Sequence, residues 1–316
     1  MNTAQILSAA FLTAMLAASV RFATPILLAA LGEIFTERSG VLNLGLEGVM
    51  LGGAFAGFWA MAATGNMLVA FLVAALAGLL QGLLLSVFYV TLRSNQVVIG
   101  LLYSLMMVGL TSFFYRLMFG ETMLGKQELL STMPIPVLSD IPFVGKILFD
   151  QSPITYFVLL LVPVAHFTLY RTRFGLSLRA VGEHPRAADT LGVNVNRMRR
   201  LGILIGCTAA AMGGAFFSLH FGQFLDEMLL GRGYIAIAIV IFGQWSPYRA
   251  LLGALLFGLV DALALRLQAL NTGAPFQFLL MLPYVLTILA LLVSVRQRGD
   301  VGSPSGPTAL MTPYER

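Results

Sequence analysis

Residues 67–92 read MLVAFLVAALAGLLQGLLLSVFYVTL, and this run contains no charged side chain. A helix needs about 20 mainly apolar residues to cross the hydrocarbon core of a bilayer. The run is longer than that and contains neither proline nor a cluster of turn-forming residues. It therefore predicts a transmembrane helix.

The rest of the chain has the same character. Of its 316 residues, 58% are hydrophobic and only 10% are charged, against about 25% charged in ordinary soluble domains. This leaves too little polar surface to cover a soluble globule, so we predict an all-α polytopic membrane protein with about nine (eight to ten) transmembrane helices. The apolar runs are 5–31, 41–62, 67–92, 97–118, 153–170, 201–219, 233–245, 249–268 and 275–295.

Three details qualify this division. The first run contains Arg21, so it could form one tilted helix or two pieces, and we interpret it as a retained membrane segment, not a cleaved signal peptide. The run 233–245 is short enough for a half-helix. We predict a single transmembrane domain over 1–298 and a short disordered cytoplasmic tail at 299–316, which contains Gly, Pro and Ser.

Several function classes are excluded. One cysteine and three dispersed histidines predict neither a disulfide framework nor a metal site. Scattered arginines and only two lysines do not predict nucleic-acid binding. The segment GETMLGKQ, 120–127, approaches a phosphate-binding loop, but Gln127 replaces the required hydroxyl and no strand precedes it. We therefore predict no catalytic residues, no cofactor and no ATP-hydrolysing machinery in this chain.

The distribution of arginines predicts the orientation. Seven arginines lie within 171–200, whereas the loop 119–152 carries two lysines against four acids. Because cytoplasmic loops of membrane proteins are enriched in Lys and Arg, we expect 171–200 to face the cytoplasm and 119–152 the outside.

Within that cytoplasmic segment, the residues HPRAADTLG, 184–192, include the start and stop signals of a short helix. Pro185 suits the first helical position and Gly192 the position just past the end. Ala187, Ala188 and Leu191 are three and four residues apart and should share one face. The segment predicts a small helix that fits a groove on a partner; the alternative is an ordinary solvated, positively charged loop.

The stretch GEIFTERSGVLNLGLEGVML, 32–51, places ionisable groups inside an apolar region. Such groups are costly in a bilayer and usually functional. Its glycines predict a broken helix near 33–48 beside the substrate path, with Asn43 and Glu47 on one helical face. The alternative places Glu33, Glu37 and Arg38 at the cytoplasmic interface, with Glu47 held by Arg38 or a neighbouring helix.

Two other polar pairs lie at or within apolar runs. Asn95 and Gln96 open the run 97–118 and are further candidates for the path, although helix capping explains them equally well. Asp261 and Arg266 could pair with each other or with a neighbouring helix, and we assign them no role in transport.

Three motifs resemble one family of transporters. These are GLSLRAVGEHPRAADTLGVNV at 175–195, ATPILLAALGEIFTERSGVLNLGLEGVMLGGAFAGF at 23–58 and SNQVVIGLLYSLMMVGLTSFF at 94–114. They are similar to ABC importer permeases of the branched-chain amino acid, ribose and nucleoside group, closest to the purine-nucleoside (guanosine-type) branch. His184 departs from the family, which usually has Asn or a similar residue there.

The resemblance implies a function and its partners. It implies a multi-pass protein of the cytoplasmic (inner) membrane that forms the translocation pathway of an importer. It works with a cytoplasmic ABC ATPase, a second permease subunit that is related but different, and an extracytoplasmic substrate-binding protein. The implied coupling helix and its flanks comprise Gly182, Glu183, Pro185, Arg186, Ala187, Ala188, Asp189, Leu191 and Gly192.

The substrate class stays open at this point. The family branch favours nucleosides over simple sugars, riboflavin or branched-chain amino acids. An ion-coupled secondary transporter is the competing class, and it would need a buried carboxylate such as Glu47 or Asp261 to bind the coupling ion.

Overall fold

The computed structural model describes residues 9–120, 131–136, 138–139, 141, 143–269, 281–289, 292 and 306–315. The segment 120–127, which approaches a phosphate-binding loop in sequence, lies almost wholly outside the described residues. Much of the predicted run 275–295 lies outside them as well. What is described is an all-α polytopic membrane protein with one two-stranded hairpin. Its helices are α1 (Ala9–Arg38), α2 (Leu46–Thr64), α3 (Met67–Ser86), α4 (Gln96–Phe119), α5 (Val144–Leu148), α6 (Pro153–Arg171), α7 (Arg173–Glu183), α8 (Pro185–Thr190), α9 (Val195–Phe221), α10 (Arg232–Phe242) and α11 (Pro247–Ala269).

Shorter elements complete the fold. A π-helical turn, Val87–Thr91, extends α3, and residues 281–289 are helical. Strands β1 (Met133–Pro134) and β2 (Asp150–Gln151) pair antiparallel in the loop that follows α4.

Seven helices of the described residues are long and apolar enough to span a membrane: α1 (counted from Phe11), α2, α3 with its π-helical turn, α4, α6, α9 and α11 (up to Gln268). From Ala9 onward, the first predicted run is a single continuous helix that extends beyond residue 31 to Arg38. The predicted short run at 233–245 is the 11-residue α10. The predicted helix starting at residue 41 is wrong at its beginning, because regular structure resumes only at Leu46.

Helix α9 lies at the centre and packs against α1, α2 and α3. Close approach depends on small residues, as is usual where helices associate in lipid. A Cβ on Gly214 would lie 1.8 Å from the carbonyl oxygen of Met50, and one on Gly53 would lie 2.2 Å from that of Ala211. The backbones of α9 and α2 therefore touch, and larger side chains there would separate the two helices.

The helix break occupies residues 39–45, between α1 and α2. Ser39, Val41 and Asn43 are fully buried there. Non-helical backbone at membrane depth is tolerated only where protein or a water-filled cavity satisfies its polar groups. Here the carboxylate of Glu33 accepts from Asn43 N at 3.0 Å and the amide oxygen of Gln96 accepts from Leu42 N at 2.9 Å.

Residues 306–315 also have defined positions, against the ends of α7, α8 and α9. The expectation of a disordered tail over 299–316 therefore does not hold for this part. Its anchors are backbone hydrogen bonds and a few side chains, those of Thr308, Tyr314 and Glu315, and a Gly- and Pro-containing composition does not exclude such contacts.

Candidate translocation site and coupling surface

Glu47 lies where the N-termini of two helices meet. It stands in the first turn of α2, and its carboxylate accepts from the backbone N–H groups of Gly231 at 2.8 Å and Gly233 at 2.6 Å at the start of α10. The first N–H groups of a helix have no partner within the helix, and the helix dipole favours negative charge there. Glu47 therefore caps a helix distant in sequence. Of the two partners that the alternative offered, the neighbouring helix is confirmed and Arg38 is wrong.

Glu47 also lines a cavity of about 430 Å³ between α2, α4 and the segment that precedes α10. Its polar groups are the carboxyl groups of Glu47, Asp226 and Glu227 and the hydroxyl groups of Ser104 and Tyr234, among leucine side chains. Among the described residues that line it, none is a lysine or an arginine. The cavity can therefore accept hydrogen bonds from hydroxyl and amino groups, and the neighbouring Arg116, 3.8 Å from Asp226, is already paired with that carboxylate.

A second cavity, of about 500 Å³, shares Glu227 and Leu230 with the first and lies on the other side of the 225–231 segment. The guanidinium of Arg232 pairs there with Asp261 at 3.2 Å and lies 4.5 Å from the ring centre of Phe217. Asp261 thus pairs with a neighbouring helix, not with Arg266, which stacks on Phe11.

The other predicted path residues do not line either cavity. Asn43 is in the helix break, not on a helical face with Glu47; its amide oxygen accepts from Tyr89 Oη at 3.2 Å and Gly45 N at 3.1 Å. The side-chain oxygen of Asn95 accepts from the N–H groups of Val97 and Val98 and so caps α4. The side-chain oxygen of Gln96 accepts from Leu42 N in the helix break. Capping was the competing interpretation of Asn95, and the geometry supports it.

Two fully buried carboxylates stabilise the irregular segments from within α1. Glu33 accepts a hydrogen bond from Asn43 N in the helix break, and Glu37 accepts one from the indole nitrogen of Trp245 at 2.5 Å. Arg38, one residue further, contacts Glu183 at 3.8 Å. Protein encloses both Glu33 and Glu37, and Arg38 connects the end of α1 to the segment 171–200.

The predicted short helix in the arginine-rich segment is present as α8. Pro185 stands in its first turn, Leu191 is its C-cap, and Gly192 follows with a φ of 85°. Ala187 and Leu191 are exposed, Leu191 at 85%. Ala188 is only 3% exposed and packs inward, so the prediction that it shares a face with Ala187 and Leu191 is wrong.

Sequence reasoning missed the acidic pair of the first cavity. Asp226 and Glu227 lie in a polar gap between two apolar runs, and this position was the only available signal. It also missed residues 306–315, which no periodicity marks.

A bundle of membrane-spanning helices with a broken helix beside a polar cavity defines a permease. The comparisons give the family: the description "Branched-chain amino acid transport system / permease component" matches residues 15–291, and the chain belongs to this family. It is the permease component of an ABC transporter and a multi-pass protein of the cell membrane.

Curated relatives cover nearly the whole chain. The putative glucose ABC transporter permease protein TsgC13 of Haloferax volcanii is 41% identical over 97% of this chain and 98% of its own length. The guanosine ABC transporter permease protein NupQ of Bacillus subtilis is 37% identical over 94% and 95%. The nucleoside ABC transporter permease protein NupC of Lactococcus lactis is 37% identical over 85% and 88%. No solved structure gives a significant match.

Proposed function

We propose that this chain is the permease subunit of an ABC importer for nucleosides. Two relatives at 37% identity carry guanosine or nucleoside permease names. The observation that carries the proposal is the acidic, hydroxyl-accepting cavity at Glu47 in a chain of this family. Glucose is the second candidate, since a relative at 41% identity is a putative glucose permease.

The chemistry of the cavity supports a neutral, hydroxyl-rich substrate. Sugar and ribose hydroxyls donate to carboxylates, and charge-assisted hydrogen bonds are the stronger ones. A free amino acid carries a carboxylate that Glu47 and Glu227 would repel, and Asp226 is already paired with Arg116. We therefore favour nucleosides and sugars over branched-chain amino acids, despite the family's description.

A second permease subunit, related but different, completes the pathway. The first cavity opens between α4 side chains of which Leu101 is 44% exposed and Leu105 71% exposed. An opening on the outer face of one chain would meet lipid, which cannot solvate a polar solute. A partner permease over this face would enclose the path, and a substrate-binding protein would deliver the ligand from outside.

We further propose nine crossings. The seven long spans, α10 as a half-length helix and a last helix around 281–289 make up that number. The segment 171–200 then faces the cytoplasm and 119–152 the outside.

Cysteine labelling tests this orientation. The native Cys207 is fully buried, so Thr190→Cys supplies the accessible thiol on exposed α8. We expect an impermeant maleimide to label Thr190→Cys in inverted vesicles and not in intact cells, and a Met133→Cys control on β1 to show the reverse. Labelling of Thr190→Cys in intact cells would reverse the topology.

Helix α8 is the proposed docking element for the cytoplasmic ATPase. Its outer surface presents Arg186, Ala187, Thr190 and Leu191. An exposed leucine beside an arginine can anchor a small apolar contact with a charged rim. Hydrolysis of ATP takes place on the partner subunit, and this chain moves the substrate.

Coupling to an ion gradient is less well supported. Both oxygens of Glu47 accept backbone hydrogen bonds, and Asp261 is paired with Arg232. Neither carboxylate is available to exchange an ion without rupture of these contacts.

Uptake in a reconstituted system tests the proposal. The chain is co-expressed with its second permease and ATPase, placed in liposomes with ATP inside, and supplied with binding protein outside. We expect accumulation of labelled guanosine that requires ATP and is suppressed by excess nucleosides. Accumulation of glucose but not guanosine would select the second candidate, and uptake by this chain alone on an ion gradient would overturn the proposal.

A further inference from the structure

The C-terminal segment, residues 306–315, crosses the end of the molecule that carries α8. At its start, Gly306 packs on Trp245, where a Cβ would lie 2.5 Å from the indole ring. At its far end, Glu315 pairs with Arg93 at 2.9 Å. The segment therefore joins the turn after α10 to the turn between α3 and α4.

Between these ends, the segment bonds the residues just before α8. Thr308 donates to the carboxylate of Glu183 through its backbone N–H at 3.1 Å and its hydroxyl at 2.9 Å. Ala309 N donates to the carbonyl oxygen of Gly182 at 2.9 Å. These bonds attach the segment to the end of α7 from which α8 begins.

Two residues later, the segment bonds the helix break. Met311 N donates to the carbonyl oxygen of Gly40 at 3.2 Å, and the carbonyl oxygen of Thr312 accepts from Arg199 at 2.9 Å. Arg199 lies in the first turns of the central helix α9.

The inner side of α8 rests on the same segment. Tyr314 is buried in a cluster with Val181, Ala188 and Val195. Ala188 is the buried residue of α8, so its packing contacts involve the C-terminal segment as well as α7 and α9. Any force on α8 therefore acts on residues 306–315.

We propose that the C-terminal segment is the connection through which α8 moves the helix break, so that residues 306–315 are positioning residues for transport. The break continues from Gly40 to Asn43 and then to Glu47 at the first cavity. A displacement of α8 would pass through paired backbone groups at Gly182 and Gly40 to the residue that caps α10. This inference rests on the proposed docking role of α8.

Direct contact between α7 and α1 is the competing route. A Cβ on Gly182 would lie 2.2 Å from the carbonyl oxygen of Arg38, so these backbones already touch. If that contact suffices, the segment 306–315 is dispensable for coupling. The test must therefore separate coupling from folding and from docking.

The measured quantity is the number of ATP molecules hydrolysed per substrate imported by the reconstituted importer. Three forms are compared with the intact chain: a truncation after residue 305, Met311→Pro and Met311→Gly. Met311 has a φ of 64° and is exposed. Proline removes its N–H and cannot adopt that φ, whereas glycine keeps the N–H and suits the conformation.

We expect the truncated chain and Met311→Pro to retain the ATPase in pull-downs and to keep hydrolysing ATP, while import falls and the ATP cost per import rises. Met311→Gly should match the intact chain. A fall of hydrolysis and import in equal proportion would indicate a merely structural role and overturn the inference.

Other outcomes are equally decisive. An unchanged ratio with undiminished hydrolysis and import in the truncated chain overturns the inference and favours the direct α7–α1 route. Loss of ATPase binding would make the segment a docking surface instead, which also overturns the inference. If the intact chain itself fails to bind the ATPase, the proposed function fails, and this inference with it.

Discussion

Two connecting regions of the molecule contrast with each other. One is the break 39–45 between α1 and α2, and the other is the short helix α8 with its flanks, 184–192, between α7 and α9. The break is buried, and at its middle the N–H groups of Leu42 and Asn43 bond the side chains of Gln96 and Glu33, whereas Ser39, Gly40 and Val41 bond local backbone carbonyls. The α8 segment is largely exposed, and it is closed by local backbone bonds such as Ala188 N to His184 O. Buried irregular backbone needs distant partners, whereas exposed irregular backbone can follow local rules and water.

This difference in exposure suits the two segments to different functions. A segment on the surface can accept a partner without disturbing the helices, which suits docking. A segment enclosed by the bundle can change shape only if its surroundings also change, which suits a gate.

The largest effect is expected from glutamate on the two neighbouring alanines of α8. Ala187 is exposed and Ala188 is buried. We expect Ala187→Glu to insert and fold normally but to lose ATPase association and transport. Ala188→Glu should instead lower the thermal stability of the chain, because it buries an unpaired charge.

Pull-down of the ATPase and thermal unfolding in detergent distinguish these two outcomes. Undiminished binding and uptake by Ala187→Glu would return this helix to an ordinary surface loop. Equal stability of the two variants would show that α8 has no buried face.

The second effect concerns Glu47 at the end of the break. Glu47→Ala leaves two backbone donors of α10 without their acceptor, at a cost of about 1–3 kcal/mol for each buried donor. We expect uptake to fall by at least tenfold, since about 1.4 kcal/mol corresponds to a factor of ten. Asp150→Asn, on strand β2 away from the cavity, is the control.

Uptake at matched expression measures this effect. Glu47→Gln should be intermediate, because it keeps one acceptor and presents a donor to the other N–H. Wild-type uptake by Glu47→Ala would remove this residue from the mechanism.

The third effect compares two glycines with nearly the same backbone conformation. Gly40 in the break has a φ of 89°, and Gly192 after α8 has a φ of 85°. A Cβ on Gly40 would lie 3.2 Å from the guanidinium of Arg199, whereas one on Gly192 meets nothing within 4 Å. We expect Gly192→Ala to cost about 1 kcal/mol from backbone strain alone and Gly40→Ala to cost more.

Thermal unfolding of the two alanine variants is sufficient for this comparison. Equal losses would mean that the surroundings of the break yield as easily as solvent does, and would contradict the contrast between the enclosed break and the exposed α8 segment.

The smallest effect is expected from a comparison of Asn95 and Gln96, two adjacent residues whose side chains both accept hydrogen bonds from backbone N–H groups. Asn95→Ala removes an exposed helix cap, which typically costs about 1 kcal/mol. Gln96→Leu keeps the volume but leaves Leu42 N buried without a partner, at about 1–3 kcal/mol. We expect Gln96→Leu to be the less stable variant by thermal unfolding, and the reverse order would contradict the dependence of the break on distant side chains.

Local signals account for what could be predicted. Apolar length predicted the membrane spans, the fully apolar run at 67–92 most clearly, and Pro185 with Gly192 marked both ends of α8. The motifs at 23–58 and 175–195 led to the family, which the comparisons confirm. Glycine and polar residues at 32–51 predicted a break, although not where the helix resumes.

The sequence by itself determined the membrane class, the family and the short helix, because hydrophobic length and helix punctuation act within a few residues of chain. Only the tertiary structure decided that Glu47 caps α10, that Asn43 and Gln96 serve the break, and that residues 306–315 lie under α8. Each of these depends on groups separated by many residues in the chain, as with Glu47 and Gly231. Their partners are selected by how the helices pack, and packing follows from the whole set of side-chain volumes and not from any local pattern.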